Sequence, residues 1–442
     1  MRNQSKQDEF NANETIKRVT IRLLPLLIIC YIVSYLDRVN VGLAALTMNK
    51  DLGFSSAVYG LGAGLFFLTY FLFEFPSNLM LHKVGASRWI ARIMLTWGLL
   101  SGAMGFIPQI SMATGLSQKT VFYTIRLLLG AAEAGFFPGV IYYLTLWFPS
   151  TYRARMIGYF MTALPLASVI GAPLSGWILS LGRHGAFASW QLVFIFEAIP
   201  ALFLCFVVLF YLTDRPTNAR WLSVEQRTWL VKQINDENQA LAQSQKQSVW
   251  SAIRHPMVIM LGLVYFTIVY MNYTLGFFLP TIIHNFGLTT LQTGLLAAIP
   301  SAVGAVSVVF WGRHSDYKRE RKWHLVFSLG VGAVCFGLAA LSKSPALTVI
   351  FFSLSAFGIY GSQPAFWTMP STFLSGSAAA AAIALINSIA NLSGFLGPTI
   401  MGWIKATTGS FSYGLLLAAF MAMLATIFIS TLKTHKFNGT KK

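Results

Sequence analysis

Long apolar segments recur along the chain and alternate with short polar segments. About 20 consecutive apolar residues in a helix cover the hydrocarbon core of a bilayer, and twelve segments reach that length. They lie at roughly 22–46, 58–81, 89–108, 120–147, 154–181, 190–212, 256–283, 290–312, 323–342, 345–369, 378–404 and 411–432. Helices satisfy every backbone polar group inside a bilayer, so the pattern predicts an all-α membrane protein with twelve transmembrane helices in two six-helix halves.

The polar segments divide the chain into five predicted parts. These are an N-terminal arm at 1–21, a first half at 22–212, a central linker at 213–255, a second half at 256–432 and a tail at 433–442. In the linker, Ser223 and Gln226 have the spacing of a capping box, which predicts the start of a helix. Some 40 residues provide too little core for a separate catalytic domain.

The two halves resemble one another in the placement of glycine and proline. Residues 171–173 and Gly176 in the fifth span correspond to Gly397, Pro398 and Gly402 in the eleventh, about 225 residues later. A parallel repeat of six helices is typical of alternating-access transporters, whose binding site lies at the repeat interface near the membrane midplane. We expect these glycines and prolines to permit bending and close helix approach.

Composition and charge agree with a membrane protein. Of the 442 residues, 55% are hydrophobic and only 10% are charged, whereas soluble domains carry about 25% charged residues. The net charge of +18 would suggest a nucleic-acid partner in a soluble protein. Here the basic residues fall in alternate short loops, which predicts cytoplasmic termini and no nucleic acid. We expect a multi-pass membrane protein that works as a monomer.

Four ionisable residues lie inside the first and fourth predicted spans. Asp37 and Arg38 are adjacent, and Arg126 and Glu133 are seven residues apart, which places them on one helical stripe about 10 Å apart in height. Ionisable residues at membrane depth are costly, and by default they indicate a functional site. Counting residues from the span ends puts Asp37 and Arg126 at similar heights, where they could pair.

This arrangement suits the coupling of protons to an anionic substrate. The arginine fork binds a carboxylate bidentately, and a carboxyl group near an arginine can change protonation when the substrate arrives or leaves. The alternative interpretation is structural: Asp37 with Arg126, or Arg38 with Glu133, would be ion pairs that lock helices together.

Uncharged polar residues cluster in the second half. Gln363 and Trp367 lie one turn apart in the tenth span, as do Asn387 and Asn391 in the eleventh. Amides and aromatic faces would suit a hydroxylated or aromatic acid, although hydrogen bonds between packed helices explain each residue equally well. For Glu197 we expect a loop arginine or a free backbone amide as partner, and no coupling role.

Motifs of enzymes are absent from the sequence. We find no nucleotide-binding loop, zinc spacing or nucleophile elbow, and the three cysteines lie far apart within apolar runs. We therefore predict no catalytic residue, no metal and no cofactor.

Several segments resemble one known family. They are YLDRVNVGLA around Asp37, FEFPSNLMLHKVGASRWIAR, RLLLGAAEAGFFPGVIYYLTLWFP, GSQPAFWTMP and INSIANLSGFLGP. Together they are similar to the anion:cation symporters of the major facilitator superfamily, which include bacterial permeases for sugar acids, tartrate, phthalate and 4-hydroxyphenylacetate. The resemblance covers nearly the whole chain, and it implies a protein of the bacterial inner membrane.

The resemblance implies roles for individual residues. Asp37 and Glu133 would couple protons, Arg38 and Arg126 would bind substrate, and the residues lining the cavity would include Tyr70, Trp367, Asn387 and Asn391. The family's gating loops correspond to Lys83, Gly85 and Arg88 after the second span, and to Gly312 and Asp316 after the eighth. The first loop departs from the pattern, because Asn78 and His82 stand where a glycine and an aspartate are usual.

The sequence hypothesis is a proton-coupled symporter that imports a small organic carboxylate: a sugar acid, a tartrate-like acid or an aromatic acid. Two alternatives remain open at this point. GAPLSG at 171–176 partly matches an antiporter motif, which would make the protein a proton-driven exporter or antiporter, and a transporter-like sensor of organic acids is also possible. Coupling to sodium would want several clustered oxygen ligands, which the sequence does not display.

Overall fold

The computed structural model describes residues 2–243, 254–318, 320–370 and 376–432, and most of them are helical. The helices of the first half are Arg2–Asp51, Ser56–Val84, Ala86–Met104, Ile107–Thr114, Gln118–Glu133, Phe136–Trp147, Ser150–Met161, Ala163–Ser180 and Ser189–Tyr211. The linker contains a 3-10 turn at Pro216–Asn218 and a helix at Val224–Gln243. The helices of the second half are Pro256–His284, Thr290–Lys318, Lys322–Leu341, Pro345–Thr368, Gly376–Thr408 and Ser412–Thr431.

These helices provide the predicted membrane spans, which we number 1 to 12 in chain order. In the described part of the chain, eleven helical stretches are long and apolar enough to cross a bilayer. The twelfth is span 3, whose helix Ala86–Met104 continues after an 84° bend into Ile107–Thr114. Spans 4 and 5 each consist of two helices separated by a short break, at 134–135 and at Thr162. The all-α transmembrane fold is confirmed.

The two halves meet closely near one face of the membrane. We call the face where span 1 begins the terminal face, and the face where it ends, near Asp51, the distal face. A Cβ atom added to Gly60 of span 2 would lie 2.3 Å from the Pro398 carbonyl oxygen of span 11. Equivalently, a Cβ on Gly294 of span 8 would lie 2.3 Å from the Ala172 carbonyl oxygen of span 5. Both contacts lie at the distal ends of their spans, so the halves are closed together there.

The glycines singled out by the internal repeat make these contacts. Gly402 packs against the backbone of Gly60, and Gly176 packs against that of Gly294. The predicted close approach is therefore confirmed at equivalent places in the two halves, and in both places a side chain would prevent it.

The linker helix packs on the first half at the terminal face. Its capping box is confirmed. The backbone N–H of Gln226 donates to Ser223 Oγ at 3.2 Å, and the backbone N–H of Ser223 donates to the side-chain Oε1 of Gln226 at 3.3 Å. Glu237 accepts hydrogen bonds from the Ser150 N–H and hydroxyl where span 5 begins. Residues 244–253 and the predicted tail at 433–442 lie outside the described residues, and the predicted arm is continuous with the helix of span 1.

Candidate functional site

The break in span 4 places Glu133 at the end of a helix. Gly135 has a φ of +87°, in the left-handed region that other residues rarely adopt. A Cβ at this position would also lie 2.3 Å from Ser77 Oγ of span 2, so only glycine fits here. The last carbonyl groups of a helix carry a partial negative charge, which favours a cation beside Glu133.

That cation is Arg38 of span 1. Its Nη2 forms an ion pair with Glu133 Oε1, and the Ser34 hydroxyl donates to the same oxygen at 2.8 Å. Arg38 and Glu133 are 7% and 1% exposed. Of the two pairings proposed as the structural alternative, this one is present. Losing either partner would leave the other charge buried and uncompensated, which typically costs about 3–5 kcal/mol.

The expected pairing of Asp37 with Arg126 is wrong in this conformation. Asp37 points instead toward span 3, where Trp97 Nε1 donates to Oδ2 at 2.6 Å and Ser101 Oγ donates to Oδ1 at 3.0 Å. Residue counting fixes the height of a side chain in the membrane but not the direction in which it points around the helix. Neighbouring residues on a helix point about 100° apart, so Asp37 and Arg38 face different spans.

Arg126 is fully buried but has no carboxylate partner within 4 Å among the described residues. Its Nε and Nη2 donate to the carbonyl oxygens of Gly62 and Ala63 on span 2, both at 3.1 Å. Its guanidinium lies 4.9 Å from the centre of the Phe66 ring, and that of Arg38 lies 5.3 Å from the same ring. Two buried cations and one buried carboxylate therefore meet around Phe66, and the half-buried carboxyl of Glu74 also acts on Arg38. In the described part of the chain, Arg126 has no charge partner in contact.

Aromatic residues from both halves surround Arg38. The centre of the Tyr70 ring is 5.0 Å from its guanidinium carbon, and Tyr273 of span 7 lies beside the same guanidinium. Tyr273 also packs on Phe67 of span 2, with 4.3 Å between ring centres. Arg38 thus lies where the two halves meet, the position expected of a substrate site in such a repeat.

The predicted binding residues of spans 10 and 11 are half-buried. Trp367 packs edge-on against Tyr265, with 4.7 Å between ring centres. Within the described residues, the side chains of Gln363, Asn387 and Asn391 form no hydrogen bond. The structure does not use these three amides as links between packed helices, so they can donate to and accept from a ligand. Their role in binding remains a prediction.

A small cavity lies on the other side of span 1, between spans 5, 7, 8 and 10. Its polar lining includes Tyr35, Asn40, Ser175, Asn272 and Ser301. None of the predicted binding residues lines it. The Asn272 amide connects it to the Arg38 region by donating to the Tyr35 hydroxyl at 3.5 Å, with the Tyr35 ring 5.9 Å from the Arg38 guanidinium carbon.

The predicted gating loops are placed at the terminal face. Gly85, with a φ of +98°, joins spans 2 and 3, and Lys83 and Arg88 beside it are exposed. Asp316 pairs with Arg321 of the same loop at 2.5 Å.

The gating prediction also includes Gly312, in span 8 of the second half of the chain. A Cβ there would lie 3.3 Å from Pro364 of span 10. The loops contact their own halves, and their part in gating remains a prediction.

Sequence reasoning missed the partners that hold the charged residues. Trp97 and Ser101 lie one turn apart in span 3, and Ser34 lies one turn before Arg38. In each pair, the spacing of one turn places two polar groups on the same stripe of an otherwise apolar helix. This spacing could have identified Trp97, Ser101 and Ser34 as partners of the charged residues. The expected partner of Glu197 was wrong: this buried carboxyl accepts from the Ser175 hydroxyl of span 5, not from a loop arginine or a backbone amide.

Substitution of Gly135 by alanine is expected to lower the thermal stability and the transport activity together. Alanine at positive φ costs about 1–2 kcal/mol, and the clash with Ser77 adds to it and displaces Glu133. Gly115→Ala is the matched control, because Gly115 has a φ of +72° but no neighbour within 4 Å of the added Cβ. Equal losses of unfolding temperature in the two purified variants would show that the contact with Ser77 adds no cost.

Comparisons with known proteins agree on one family. Residues 27–398 match the profile of the Major Facilitator Superfamily. A protein of Agrobacterium vitis named "Putative tartrate transporter" is 48% identical over 427 residues, which cover 96% of each chain. The "Quinolone resistance transporter" of Acinetobacter baumannii is 39% identical and covers 94% of each chain.

Solved structures show the same fold. The partially occluded, inward-open xylose transporter XylE from E. coli superposes with a TM-score of 0.75 at 12% identity, covering 96% of this chain and all of that one. The relatives from Agrobacterium and Acinetobacter are likewise named as transporters and not as enzymes. The chain belongs to the Major Facilitator Superfamily and is a multi-pass membrane protein of that superfamily of transporters.

Proposed function

We propose that the chain is a proton-coupled symporter that imports a small organic carboxylate across the bacterial inner membrane. The observation that carries the proposal is the charge pairing around Phe66, where both arginines are buried but, among the described residues, only Arg38 has a carboxylate within 4 Å, that of Glu133. An unpaired buried cation is costly, and a substrate carboxylate would give Arg126 the charge partner that it lacks.

Proton coupling follows from competition for Arg38. A substrate carboxylate that binds this guanidinium displaces Glu133 from it. Once separated from its cation, a buried carboxylate is unstable in the charged form and takes up a proton. Substrate and proton would then occupy the site together, and departure of the substrate would return Arg38 to Glu133 and release the proton.

Asp37 would be the second proton carrier. Its hydrogen bonds to Trp97 and Ser101 separate it from both arginines in this conformation. A change in the packing of spans 1 and 3 would alter these bonds and with them the affinity of Asp37 for a proton.

Arg38 and Tyr70 lie on one side of the site, and the amides of Gln363, Asn387 and Asn391 would contact the hydroxyl groups of a substrate.

The similarity to a protein named as a tartrate transporter favours a hydroxylated acid within this class.

We place both termini in the cytoplasm, because the basic loops lie on the terminal face, and the distal face then faces the periplasm. Export is the second candidate, favoured by the 39% identity to a protein named for quinolone resistance.

The binding claim predicts a result for the purified protein. Tartrate, aldonates or uronates should raise its unfolding temperature, since a ligand at 100 times its Kd stabilises a protein by about 2.7 kcal/mol. In Arg126→Gln this stabilisation should disappear, because the substrate carboxylate loses the one arginine that is not already paired, while Arg38 stays paired with Glu133. The matched control is Arg183→Gln, which removes an exposed arginine in the loop between spans 5 and 6.

Two outcomes would contradict the binding claim. Full stabilisation of Arg126→Gln by the same acid would remove the arginine from the site. Stabilisation of the parent by quinolones and by none of the tartrate-like or sugar acids would favour the exporter.

A further inference from the structure

A second buried polar cluster lies across span 1 from the Arg38 site. It consists of Asn40 of span 1, Ser175 of span 5 and Glu197 of span 6, which are 1%, 1% and 4% exposed. Glu197 is eight residues from the start of its helix, about 12 Å from the distal end of the span. A carboxyl group at this depth is costly to bury and requires an explanation.

The hydrogen bonds of this cluster are incomplete. Glu197 Oε1 accepts from the Ser175 hydroxyl, while Oε2 has no partner of good geometry among the described residues. The Asn40 amide lies close enough to act on the Glu197 carboxyl as a donor, but its nitrogen and oxygen do not reach full hydrogen-bond geometry. In the described part of the chain, no lysine, arginine or histidine lies within 4 Å of the Glu197 carboxyl. One hydroxyl donor and one imperfectly placed amide do not offset the cost of a buried negative charge, so the neutral carboxylic acid is favoured here.

Asn40 and Ser175 separate Glu197 from the cavity between spans 1, 5, 7, 8 and 10. Both residues line that cavity, and Glu197 lies behind them. The cavity encloses about 50 Å³, enough for a few water molecules. Water there could bond to the free amide of Asn40 and to Ser175, and through them a proton could reach Glu197 or leave it.

The cluster is adjacent to the contact that closes the distal face. Ser175 precedes Gly176, whose backbone packs against Gly294 of span 8 in the other half. When the halves separate at this contact, span 5 moves relative to span 8 and the cavity opens to water. Hydration stabilises the charged carboxylate, so Glu197 would lose its proton more readily in the open arrangement.

We propose that Glu197, Ser175 and Asn40 form a further proton-binding site, beyond Glu133 and Asp37, whose occupancy is linked to closure of the distal face. Binding of the proton favours the closed arrangement, and its release to water in the cavity leaves a carboxylate that favours opening, because linkage acts equally in both directions. The proposal extends the proton-coupled function but does not require transport of an acid, so the two can be tested separately.

Few titratable groups other than Glu197 could cause a pH response at this cluster. From span 1 the facing titratable group is Asp37, and span 5 contributes Ser175. Span 3 presents the small residues Gly98 and Gly102 to span 6. Asp37 is therefore the one competing titratable group to exclude among the described residues.

The test measures opening of the distal face in the purified, full-length protein. Spin labels are attached to cysteines at Arg183 and Asn285, which are exposed residues of the two halves at that face. The native cysteines are buried and remain unlabelled. Between about pH 6 and about pH 9, the population with the longer label distance should rise about threefold in the parent. Glutamine at position 197 cannot lose a proton, so in Glu197→Gln most of this rise should disappear and the shorter-distance population should predominate throughout this pH range.

Variants of the other carboxyl groups show which group causes the pH-dependent change in label distance. Glu133→Gln and Asp37→Asn should keep the pH dependence, and so should Glu225→Gln, which changes an exposed carboxylate of the linker helix. A pH-independent distance in the parent would overturn the proposal without any variant. A response that survives in Glu197→Gln and disappears in Asp37→Asn would assign the site to Asp37 instead. Failure of acid uptake with an intact pH response would reject only the proposed substrate function.

Discussion

Glu133→Gln is expected to abolish accumulation of the acid against its gradient, reducing the ratio of internal to external substrate to about one. Glutamine has nearly the shape of glutamate and can still contact Ser34 and Arg38, but it cannot exchange a proton. Substrate binding to Arg38 should survive, so counterflow exchange of labelled for unlabelled acid should continue. Uptake and counterflow in proteoliposomes measure the two activities on one preparation.

Glu225→Gln serves as the matched control, because Glu225 is exposed on the linker helix and outside the site. It should accumulate substrate as the parent does. Proton-driven accumulation at the parent level by Glu133→Gln would exclude Glu133 as a coupling group. Loss of both accumulation and counterflow would mean that the residue is needed for binding or folding.

The second large effect is expected from Gly294→Ala in span 8. An added Cβ would lie 2.3 Å from the Ala172 carbonyl and 3.0 Å from Gly176 Cα, and backbone atoms cannot move aside as a flexible side chain can. Overpacking of this kind costs about 1–3 kcal/mol, which would shift the balance between distal-closed and distal-open arrangements about 5- to 150-fold toward open. Net uptake should fall accordingly, because each cycle passes through the closed arrangement.

Gly158→Ala in span 5 is the corresponding control, since an added Cβ there has no neighbour within 4 Å. It should leave uptake unchanged. Labelling of a cysteine at the distal face should increase in Gly294→Ala alone. Unchanged labelling with reduced uptake would show that the contact does not control opening, and normal uptake would show that the close approach is dispensable.

The sequence pattern was sufficient to predict the architecture, because a bilayer permits few kinds of backbone structure. An apolar stretch such as 256–283 can satisfy its backbone only as a helix, and its observed bounds, Pro256–His284, agree with the pattern. The capping box at Ser223 was predictable for a similar reason, because both partners are local in sequence. The repeated glycines were predictable as close contacts, since Gly176 and Gly402 occupy equivalent places in two similar halves.

The partners of the charged residues could not be predicted in the same way. Asp37 and Arg38 are neighbours in sequence, yet one bonds to span 3 and the other to span 4. Which span each faces depends on the rotation of span 1 within the bundle, and that rotation follows from packing across many distant residues. Glu197 was misjudged because its donor, Ser175, is an inconspicuous residue 22 positions away on another span.

The most direct test of proton-coupled import is the simultaneous measurement of acid and proton entry in proteoliposomes that contain the purified protein. With an inward proton gradient and external tartrate or an aldonate, we expect accumulation of the acid together with acidification of the interior, and a protonophore should abolish the accumulation. Accumulation that persists with the protonophore, or acid entry without proton entry, would contradict proton-coupled import.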